Sequence, residues 1–306
     1  MDLTHLGPYN FYIFAFFHKI RYTVNIKKQQ EELIMPIKAD YHLHSSFSGD
    51  SKTPMEQMIQ QAITLGLSRM CFTEHLDMDY VYIKEEENGM FELNTDSYLF
   101  DLIKYKEKYA SDIQVCFGVE LGVQPQISKK LAAYAKSYDF DFIIASSHLC
   151  NGKDPYYPYF YEGRSEEEAY LEYFSSILDN IKTFTNFDVY GHLDYVVRYG
   201  PNKDTNYSYA NYRDLFDEIL KLLIHNGKGI EINTGGIKYG LQELNPCTDI
   251  IRRYKELGGE IITIGSDAHT PDMLANGFDK AAAILTECGF SYYTTFQKRM
   301  SEFHKL

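Results

Sequence analysis

The sequence is short of positive charge. Its 306 residues include 43 Asp and Glu but only 30 Lys and Arg, which gives a formal net charge of −13. A surface this acidic repels nucleic acid and anionic lipid, so we expect neither as a partner. A phosphorylated substrate should therefore be small, and a few local cations should hold it. The sequence contains no signal for a particular oligomeric state.

Cysteine is scarce, and no apolar run is long enough to cross a bilayer. The cysteines lack C-x-x-C spacing, which favours reduced thiols in the cytoplasm. The apolar stretch from Tyr9 to Phe17 is shorter than the roughly 20 residues of a membrane-spanning helix. No Lys or Arg precedes it and no small-residue cleavage site follows it, so a signal peptide is not expected. The five cysteines are Cys71, Cys116, Cys150, Cys247 and Cys288.

Length and composition indicate one domain. With 44% hydrophobic and 24% charged residues, the chain is typical of a soluble globular protein with one sizeable core. Residues 1–34 differ in composition from the rest, and Met35 leads directly into the first predicted strand. We therefore predict that residues 1–34 are an N-terminal extension or a mis-called start, and that residues 35–306 form a single domain.

Strand-like and helix-like patterns alternate from Ile37 onward. Two helix starts carry capping boxes, Ser165 to Glu168 and Thr53 to Glu56, the latter with Pro54 at the first helical position. Seven β-to-α units favour a closed parallel barrel, although an open doubly wound sheet has the same alternation. The predicted later strands are 69–75, 114–121, 140–147, 187–193, 228–233 and 260–266, and the predicted later helices are 95–110, 126–138, 165–184, 208–225 and 247–257.

Histidine and acidic residues lie at the ends of these strands. Six of the ten histidines occur where a short apolar run gives way to polar residues. His42 and His44 are two apart on one predicted strand, so both imidazoles lie on the same face, and Asp267 and His269 repeat that spacing. Imidazole mixed with carboxylate suits zinc, iron and manganese better than calcium or magnesium. The pattern predicts one polynuclear site for divalent transition metals.

The distribution of the candidate ligands decides between barrel and open sheet. They lie at the ends of strands one to five and seven, and only a closed barrel brings so many carboxyl ends around one mouth. In an open sheet each further strand adds about 4.8 Å, so the outer strands cannot share one cluster. We therefore predict an α/β fold with a closed seven-stranded parallel barrel. The sixth strand, 228–233, ends in polar groups without a histidine and supplies no predicted ligand.

Seven short segments carry most of the candidate residues. They are HLHSSFSGD (42–50), FTEHLD (72–77), GVELGVQP (118–125), SSHLCNGKDPYY (146–157), YGHLDYVVRYG (190–200), IEINTGG (230–236) and GSDAHTP (265–271). Together they resemble the PHP phosphoesterases, in particular the histidinol-phosphate phosphatases of that family. The likeness extends from about Asp40 to Phe278. It implies a distorted seven-stranded (β/α)7 TIM-like barrel of the PHP type that holds three divalent metal ions.

The resemblance also implies the ligands and the activity. The first metal would be held by His42, His44, Glu120 and Asp267, the second by Glu120, His148 and His192, and the third by Asp50, His75 and His269. The general PHP pattern often has histidine at the position of Asp50, and the aspartate form resembles the histidinol-phosphatase branch. The implied activity is hydrolysis of L-histidinol phosphate to L-histidinol and phosphate, in histidine biosynthesis. Divalent ions lower the pKa of bound water to about 7, so no protein nucleophile is needed.

Further residues are expected to contact the phosphate, to orient the metal ligands or to stack on an imidazole. Arg198 and Arg164 look like the phosphate-contacting arginines of the family, because a guanidinium fork matches phosphate oxygens. Asp194 and Glu74 lie beside predicted ligands and either orient them or are ordinary solvated acids. The aromatic loop 156–161 offers stacking faces for an imidazole. The predicted catalytic residues are Glu120, Asp267, His269, Arg198 and Arg164.

Four other interpretations are weighed against this one. Residues 247–253 match the C-x5-R spacing of cysteine phosphatases, but the segment has no glycine and is predicted to be helical. Residues 77–81 match the D-x-D-x-V motif of aspartyl-phosphate enzymes, which would leave six histidines unexplained. A PHP phosphoesterase for another small phosphomonoester, such as a nucleoside phosphate or phosphotyrosine, and an inactive metal-binding barrel are the remaining alternatives.

Overall fold

Seven parallel strands form one sheet in the order of the sequence, and each is followed by a helix. The computed structural model describes residues 36–83 and 88–306. The strands are β1 (Ala39–Leu43), β2 (Arg69–Leu76), β3 (Gln114–Gly122), β4 (Phe142–Ser146), β5 (Val189–Tyr190), β6 (Gly229–Asn233) and β7 (Ile262–Gly265). The helices are α1 (Met55–Thr64), α2 (Thr95–Lys108), α3 (Ser128–Tyr134), α4 (Glu166–Thr183), α5 (Arg213–His225), α6 (Thr248–Glu256) and α7 (Phe278–Glu287).

The sheet closes into a barrel through the segment that follows β7. Asp267 donates its backbone N–H to the carbonyl of His42 at 2.7 Å, and His44 donates its own to the carbonyl of Ala268 at 2.8 Å. Leu43 and Ala268 form a parallel bridge at the same place. The first and last strands are therefore joined at their carboxyl ends. The predicted distorted (β/α)7 TIM-like barrel is confirmed, and the open sheet is excluded.

Two helix starts test the capping predictions. Ser165 caps α4, because its Oγ accepts the backbone N–H of Glu168 at 3.2 Å while the Glu168 carboxylate accepts the N–H of Ser165 at 2.8 Å. The Thr53 capping box is wrong, since Pro54 occupies the N-cap of α1 and no side chain caps that helix. The Thr53 hydroxyl donates instead to the carbonyl of His269 at 2.9 Å, which ties the start of α1 to the segment after β7.

An antiparallel hairpin, β8 (Tyr292–Gln297) and β9 (Met300–Lys305), follows α7 and packs against the amino ends of the barrel strands. Tyr41 of β1 donates its hydroxyl to the carbonyl of Phe296 at 2.8 Å. The Phe296 ring stacks on Phe142 of β4 with 5.1 Å between centroids. The sequence patterns predict neither α7 nor this hairpin. The hairpin therefore covers the amino end of the barrel, and the polar mouth lies at the opposite, carboxyl end.

The described chain from Ile37 to Leu306 is one compact unit. The predicted extension, residues 1–34, lies outside the described residues, so its status stays a prediction. Within 36–83 and 88–306, no helix combines the length and the apolar character that crossing a membrane requires.

Candidate metal centre

All nine predicted metal ligands meet at the carboxyl ends of the strands. Three of the side chains, those of His42, His44 and Glu120, are fully buried, where charged and polar groups occur only with partners. The nine come from β1 and the residue after it (His42, His44), the loop after β1 (Asp50), β2 (His75), β3 (Glu120), and the segments after β4 (His148), β5 (His192) and β7 (Asp267, His269).

Glu120 lies at the centre of this cluster. Its Oε1 is 3.1 Å from Nε2 of His148 and 2.9 Å from Nε2 of His192. Its Oε2 is 3.1 Å from Nε2 of His42 and 2.9 Å from Nδ1 of His75. One carboxylate therefore faces imidazoles from four different β-to-α units, an arrangement that suits a ligand shared between two ions.

Asp267 completes a set with the two histidines of the first strand. Its Oδ1 lies 3.7 Å from Nε2 of His42 and 3.6 Å from Nε2 of His44. His44 Nε2 is in turn 3.6 Å from Oε2 of Glu120. Asp267 has a φ of 55°, which is unfavourable for a residue other than glycine and is typical of functional sites. Its backbone bond to His42 holds the carboxylate in this position.

The third predicted set lies at the more exposed edge of the cluster. Asp50 Oδ2 is 3.0 Å from Nε2 of His269 and 3.6 Å from Nε2 of His75. The ring of His44 stacks on both histidines, with centroid distances of 4.1 Å to His75 and 4.3 Å to His269. Because His75 also reaches Glu120 with its other nitrogen, this set is continuous with the other two.

Buried atoms without a partner test whether the cluster fits metal ions. Among the described residues, eight buried side-chain atoms have no hydrogen bond, and six of these belong to predicted ligands. The six are Nε2 of His42, His44 and His269, Nδ1 of His75 and His192, and Oε2 of Glu120. Buried polar atoms are nearly always paired, and a divalent ion satisfies such donors. Several groups of three side chains have ligand atoms within 4.8 Å of one another. The residues present therefore fit a divalent metal.

The charges in the cluster shift the pKa values of its members in different directions. Burial acts to raise the pKa of Glu120, but the neighbouring imidazoles, His42 foremost, outweigh it and hold that pKa well below its ordinary value. Burial, followed by repulsion from His75 and His269, holds the pKa of His44 well below its usual range. Burial acts to lower the pKa values of His42, His75 and His148, but the carboxylates around these imidazoles outweigh it and hold the values above the ordinary one. These three histidines must therefore release a proton when a divalent ion binds, whereas His44 need not.

Two acids that the sequence analysis did not assign orient ligand imidazoles. Nδ1 of His42 lies 2.6 Å from Oε1 of Glu231, and Nδ1 of His148 lies 2.9 Å from Oδ1 of Asp77. Such partners fix the tautomer and the ring orientation of a metal-binding histidine. The sixth strand therefore contributes to the site, through a carboxylate rather than a histidine. The available signal was a buried acid inside the apolar run of β6.

Gly265, at the end of β7, makes room for one of these contacts. A Cβ built on Gly265 would lie 2.2 Å from Cβ of His42 and 2.4 Å from Oε1 of Glu231. Any side chain at this position would therefore collide with the pair and separate it. The glycine is needed here because the backbone must approach the ligand and its supporting acid closely.

The two acids that the sequence analysis did consider act less directly. Glu74 accepts the hydroxyl of Ser48 at 2.6 Å, and the same Ser48 Oγ lies 3.0 Å from Nδ1 of His44. Glu74 therefore supports a ligand through an intervening serine. Asp194 accepts from the amide of Asn245 at 2.6 Å, so it orients that side chain rather than a ligand histidine.

Arg198 is buried beside the cluster. It donates from Nη1 to Oδ2 of Asp267 at 2.8 Å, from Nη2 to Oδ1 of Asn233 at 2.6 Å, and from Nε to Oδ1 of Asn245 at 2.8 Å. A guanidinium has five N–H groups, so these three bonds leave donors for a further acceptor. Arg198 also lines the cavity above the metal ligands. It fixes the position of Asp267 and presents charge to that cavity.

Arg164 lies elsewhere. Its Nε donates to the carbonyl of Phe160 at 2.7 Å, and its Nη1 pairs with Glu172 of α4. Arg164 is not among the described residues that line the cavity, so the structure does not bring this predicted residue to the site. A cation that the sequence analysis missed, Lys238 in the loop after β6, does line the cavity.

A cavity of about 550 Å³ opens above the cluster. Its wall includes several ligands, namely Asp50, His75, His148, His192, Asp267 and His269. It is also rich in aromatic rings, among them Tyr80, Phe91, Tyr156, Tyr157, Tyr195, Tyr199 and Tyr239. The first two tyrosines of the predicted aromatic loop are therefore at the cavity wall. A small substrate with a ring would find both stacking faces and metal ligands here.

Neither rival phosphatase motif forms a nucleophilic site. Cys247 is the N-cap of α6, as the absence of glycine predicts, and Arg253 donates to Asp217 at 2.8 Å. Burial raises the pKa of the Cys247 thiol, which opposes formation of a thiolate. Asp77 of the second motif is bound to the imidazole of His148.

Comparison with known proteins agrees with this geometry. Residues 40–235 match the family model of the PHP domain. The chain is 34% identical to a histidinol-phosphatase of Lactococcus lactis over 85% of its length and 94% of the relative. It is 32% identical to a probable histidinol-phosphatase of Clostridium acetobutylicum, over 86% and 98% of the two chains. It also resembles the crystal structure of histidinol phosphate phosphatase from L. lactis complexed with zinc, L-histidinol and phosphate. That match has a TM-score of 0.78 and 32% identity, and covers 87% of this chain and 98% of the other.

The fold and the site define a class of protein: a (β/α)7 barrel whose mouth carries a cluster of His, Asp and Glu side chains that can hold divalent metals. Within that class, the matches identify the family. The chain belongs to the PHP domain family.

Proposed function

We propose that the protein is a metal-dependent phosphomonoesterase that hydrolyses L-histidinol phosphate to L-histidinol and inorganic phosphate, a step of histidine biosynthesis. One observation carries this proposal. Over 87% of its length the chain matches a histidinol phosphate phosphatase whose crystal structure contains zinc, L-histidinol and phosphate. The cluster of metal ligands and the cavity above it supply a site of the kind that this reaction requires.

We further propose three divalent ions per chain, drawn from zinc, iron and manganese. The three sets are His42, His44, Glu120 and Asp267; Glu120, His148 and His192; and Asp50, His75 and His269. The unpaired buried atoms support this assignment, and so do the two faces that Glu120 presents to histidines. When bound, such ions lower the pKa of coordinated water and neutralise the charge of a phosphate.

The chain's own residues would then bind and position the substrate. Glu120 and Asp267 supply negative charge that offsets repulsion between closely spaced cations, and His269 lies at the edge of the cluster that lines the cavity. Arg198 and Lys238 supply positive charge for the phosphate oxygens. Burial acts to raise the pKa of Asp267, but His42, Arg198 and His44 lower it and Lys238 adds to their effect, so the charge of Lys238 acts on the cluster. Arg164 is not proposed to contact the substrate, because it is not among the described residues that line the cavity.

We also propose a cytoplasmic location. The five cysteines all lie in the described part of the chain, and all are free and buried. Thiols that stay unpaired are typical of a reducing compartment. The proposed substrate is an intermediate of amino-acid biosynthesis, which agrees with that location.

A panel of small phosphate esters tests the proposed function. Purified, metal-loaded protein is offered L-histidinol phosphate, a nucleoside monophosphate and phosphotyrosine, and phosphate release is measured. We expect kcat/KM to be highest for L-histidinol phosphate. If another ester were preferred, the proposed phosphoesterase activity would stand, but L-histidinol phosphate would be rejected as the substrate. Absence of turnover with every ester, in protein that contains its metals, would favour the inactive metal-binding barrel.

A further inference from the structure

Asp154 is a buried carboxylate on the wall of the cavity. Asp154 is 7% exposed and lines the cavity together with Tyr80 and Tyr156. Its Oδ1 accepts the backbone N–H of Tyr156 at 2.7 Å, and its Oδ2 accepts the hydroxyl of Tyr80 at 2.8 Å. These two bonds hold the carboxylate in place. Each oxygen retains a second lone pair for another donor.

The other carboxylates of the cavity wall already face basic groups. Asp50 faces His269 at 3.0 Å, and Asp77 faces His148 at 2.9 Å. Asp267 pairs with Arg198. Asp154 differs, because its bonds within the described residues come from a neutral hydroxyl and a neutral amide. Burial raises the pKa of Asp154 to about 6, although the Tyr156 N–H, the Tyr80 hydroxyl and the more distant charge of His148 act to lower it.

The cavity wall therefore presents groups of both charges. Arg198 and Lys238 lie on the wall near Asp267, where a phosphate would find cations. Asp154 and its hydroxyl donor Tyr80 form an acidic region of the same wall, beside the aromatic rings. A substrate that fits this distribution has a phosphate, a positively charged group and a ring. L-Histidinol phosphate has all three, since its primary amine is protonated near neutral pH.

We propose that Asp154 binds the ammonium group of the substrate and thereby makes the site selective for phosphate esters of amino alcohols. This inference rests on the proposed function and adds the residue that recognises the amine. The ammonium is favoured over the imidazole as the partner, because it carries a full positive charge near neutral pH whereas most imidazole is neutral there. The imidazole is then left to stack on the neighbouring aromatic rings.

The test removes the charge of Asp154 and, separately, the amine of the substrate. Asp154→Asn keeps the shape of the side chain and one carbonyl acceptor. The substrates are L-histidinol phosphate and the matching ester without an amine, 3-(imidazol-4-yl)propyl phosphate. Asp79→Asn is the matched control, because Asp79 is an exposed acid that accepts a hydrogen bond from Gln126 and does not line the cavity. Metal content and thermal stability are measured for both variants.

We expect Asp154→Asn to lower kcat/KM for L-histidinol phosphate by about 10- to 100-fold, mainly through KM, as loss of a hydrogen bond to a charged group implies. For the ester without an amine, kcat/KM should change by less than about 3-fold. Asp79→Asn should affect neither substrate. Equal losses on the two esters, or no loss on either, would overturn the proposal.

A measurement on the unaltered protein covers the case in which the Asp154 variant does not fold. L-Histidinol and 3-(imidazol-4-yl)propanol are compared as inhibitors of the wild-type enzyme. We expect L-histidinol to inhibit at concentrations lower by about 10-fold or more. Equal inhibition by the two alcohols would refute amine recognition. Failure of the proposed function looks different, because wild-type protein would then not hydrolyse L-histidinol phosphate at all.

Discussion

At the scale of single residues, the centre depends most on Glu120, whose two oxygens face different histidines. Glu120→Gln keeps the shape of the side chain but removes the charge that offsets repulsion between neighbouring cations. We expect the variant to lose at least one metal ion per chain and kcat to fall by about three orders of magnitude or more. Elemental analysis and steady-state kinetics check both effects. Glu107→Gln, on the exposed side of α2, is the control and should match the wild type.

Arg198 tests a different contribution, that of positive charge beside the phosphate. Arg198→Ala removes a guanidinium that contacts Asp267 through Oδ2, while Oδ1 of Asp267 still faces His42 and His44. We expect the metals to stay bound, KM for the phosphate ester to rise by about 10- to 100-fold, and kcat to fall less than in Glu120→Gln. If Arg198→Ala lost as much metal as Glu120→Gln, Arg198 would instead be needed to hold the metal ions. Arg252→Ala is the control, at a half-exposed arginine of α6 that pairs with Glu287 away from the cavity.

The meeting of the cluster residues was predictable from the sequence, whereas most of their supporting contacts were not. Parallel strands of one barrel end at one mouth, so His and Asp residues at strand ends must meet there, whatever the details of the packing. The partner of a given imidazole depends on distances between strands that are far apart in sequence. Glu231 and His42 are an example, since they are 189 residues apart. Arg164 was predicted at the site but does not lie there, because it pairs with Glu172, only eight residues later in the sequence.

At the scale of secondary-structure elements, the seven βα units follow from alternating hydrophobic patterns, but the β8–β9 hairpin does not. Its turn residues Lys298 and Arg299 have φ values of 50° and 64°. Turns of this kind usually contain Asn or Gly, and neither is present to signal the hairpin. The strand β5 is only two residues long in the structure, Val189–Tyr190, where the pattern predicts 187–193. The regular strand ends before His192, and a short 3-10 helix follows at Tyr195–Arg198.

The hairpin should contribute to stability rather than to catalysis. Phe296 is 4% exposed and stacks on Phe142 at the amino end of the barrel, away from the metal ligands. We expect Phe296→Ala to lower the free energy of unfolding by about 3–5 kcal/mol, as other buried Phe-to-Ala changes do. Metal content and KM should remain near wild type at temperatures where the variant is folded. Phe303→Ala, at a residue that is 50% exposed, should change stability by less than about 0.5 kcal/mol in chemical denaturation.

At the scale of the whole molecule, metal binding should be coupled to stability. The cluster buries several carboxylates and imidazoles that bind ions only in the folded state, so ions stabilise the fold by mass action. We expect about three divalent transition-metal ions per chain by elemental analysis. Chelation should abolish activity and lower Tm, and adding back zinc, iron or manganese should reverse both effects. Purified active protein without transition metal would contradict this account.

Residues 1–34 provide a second prediction at this scale. The described unit from Ile37 to Leu306 contains every candidate ligand. We therefore expect a chain that starts at Met35 to fold, to bind the same number of ions and to keep kcat/KM within about 2-fold of the full chain. Thermal unfolding, elemental analysis and kinetics on the two proteins check this. Loss of folding in the shorter chain would assign these residues a structural role.

The ligands are spread along the chain from His42 to His269, and this has a consequence for biosynthesis. A ribosome releases His42 and His44 early, but Asp267 and His269 emerge last of the nine predicted ligands, together with the segment that closes the barrel onto β1. A partly synthesised chain therefore holds isolated histidines that compete poorly for metal, and the complete donor set arises only after the barrel has closed. If these side chains hold the ions as proposed, metal acquisition is a late event, and a chain that terminates before residue 267 should not take up its full complement of ions.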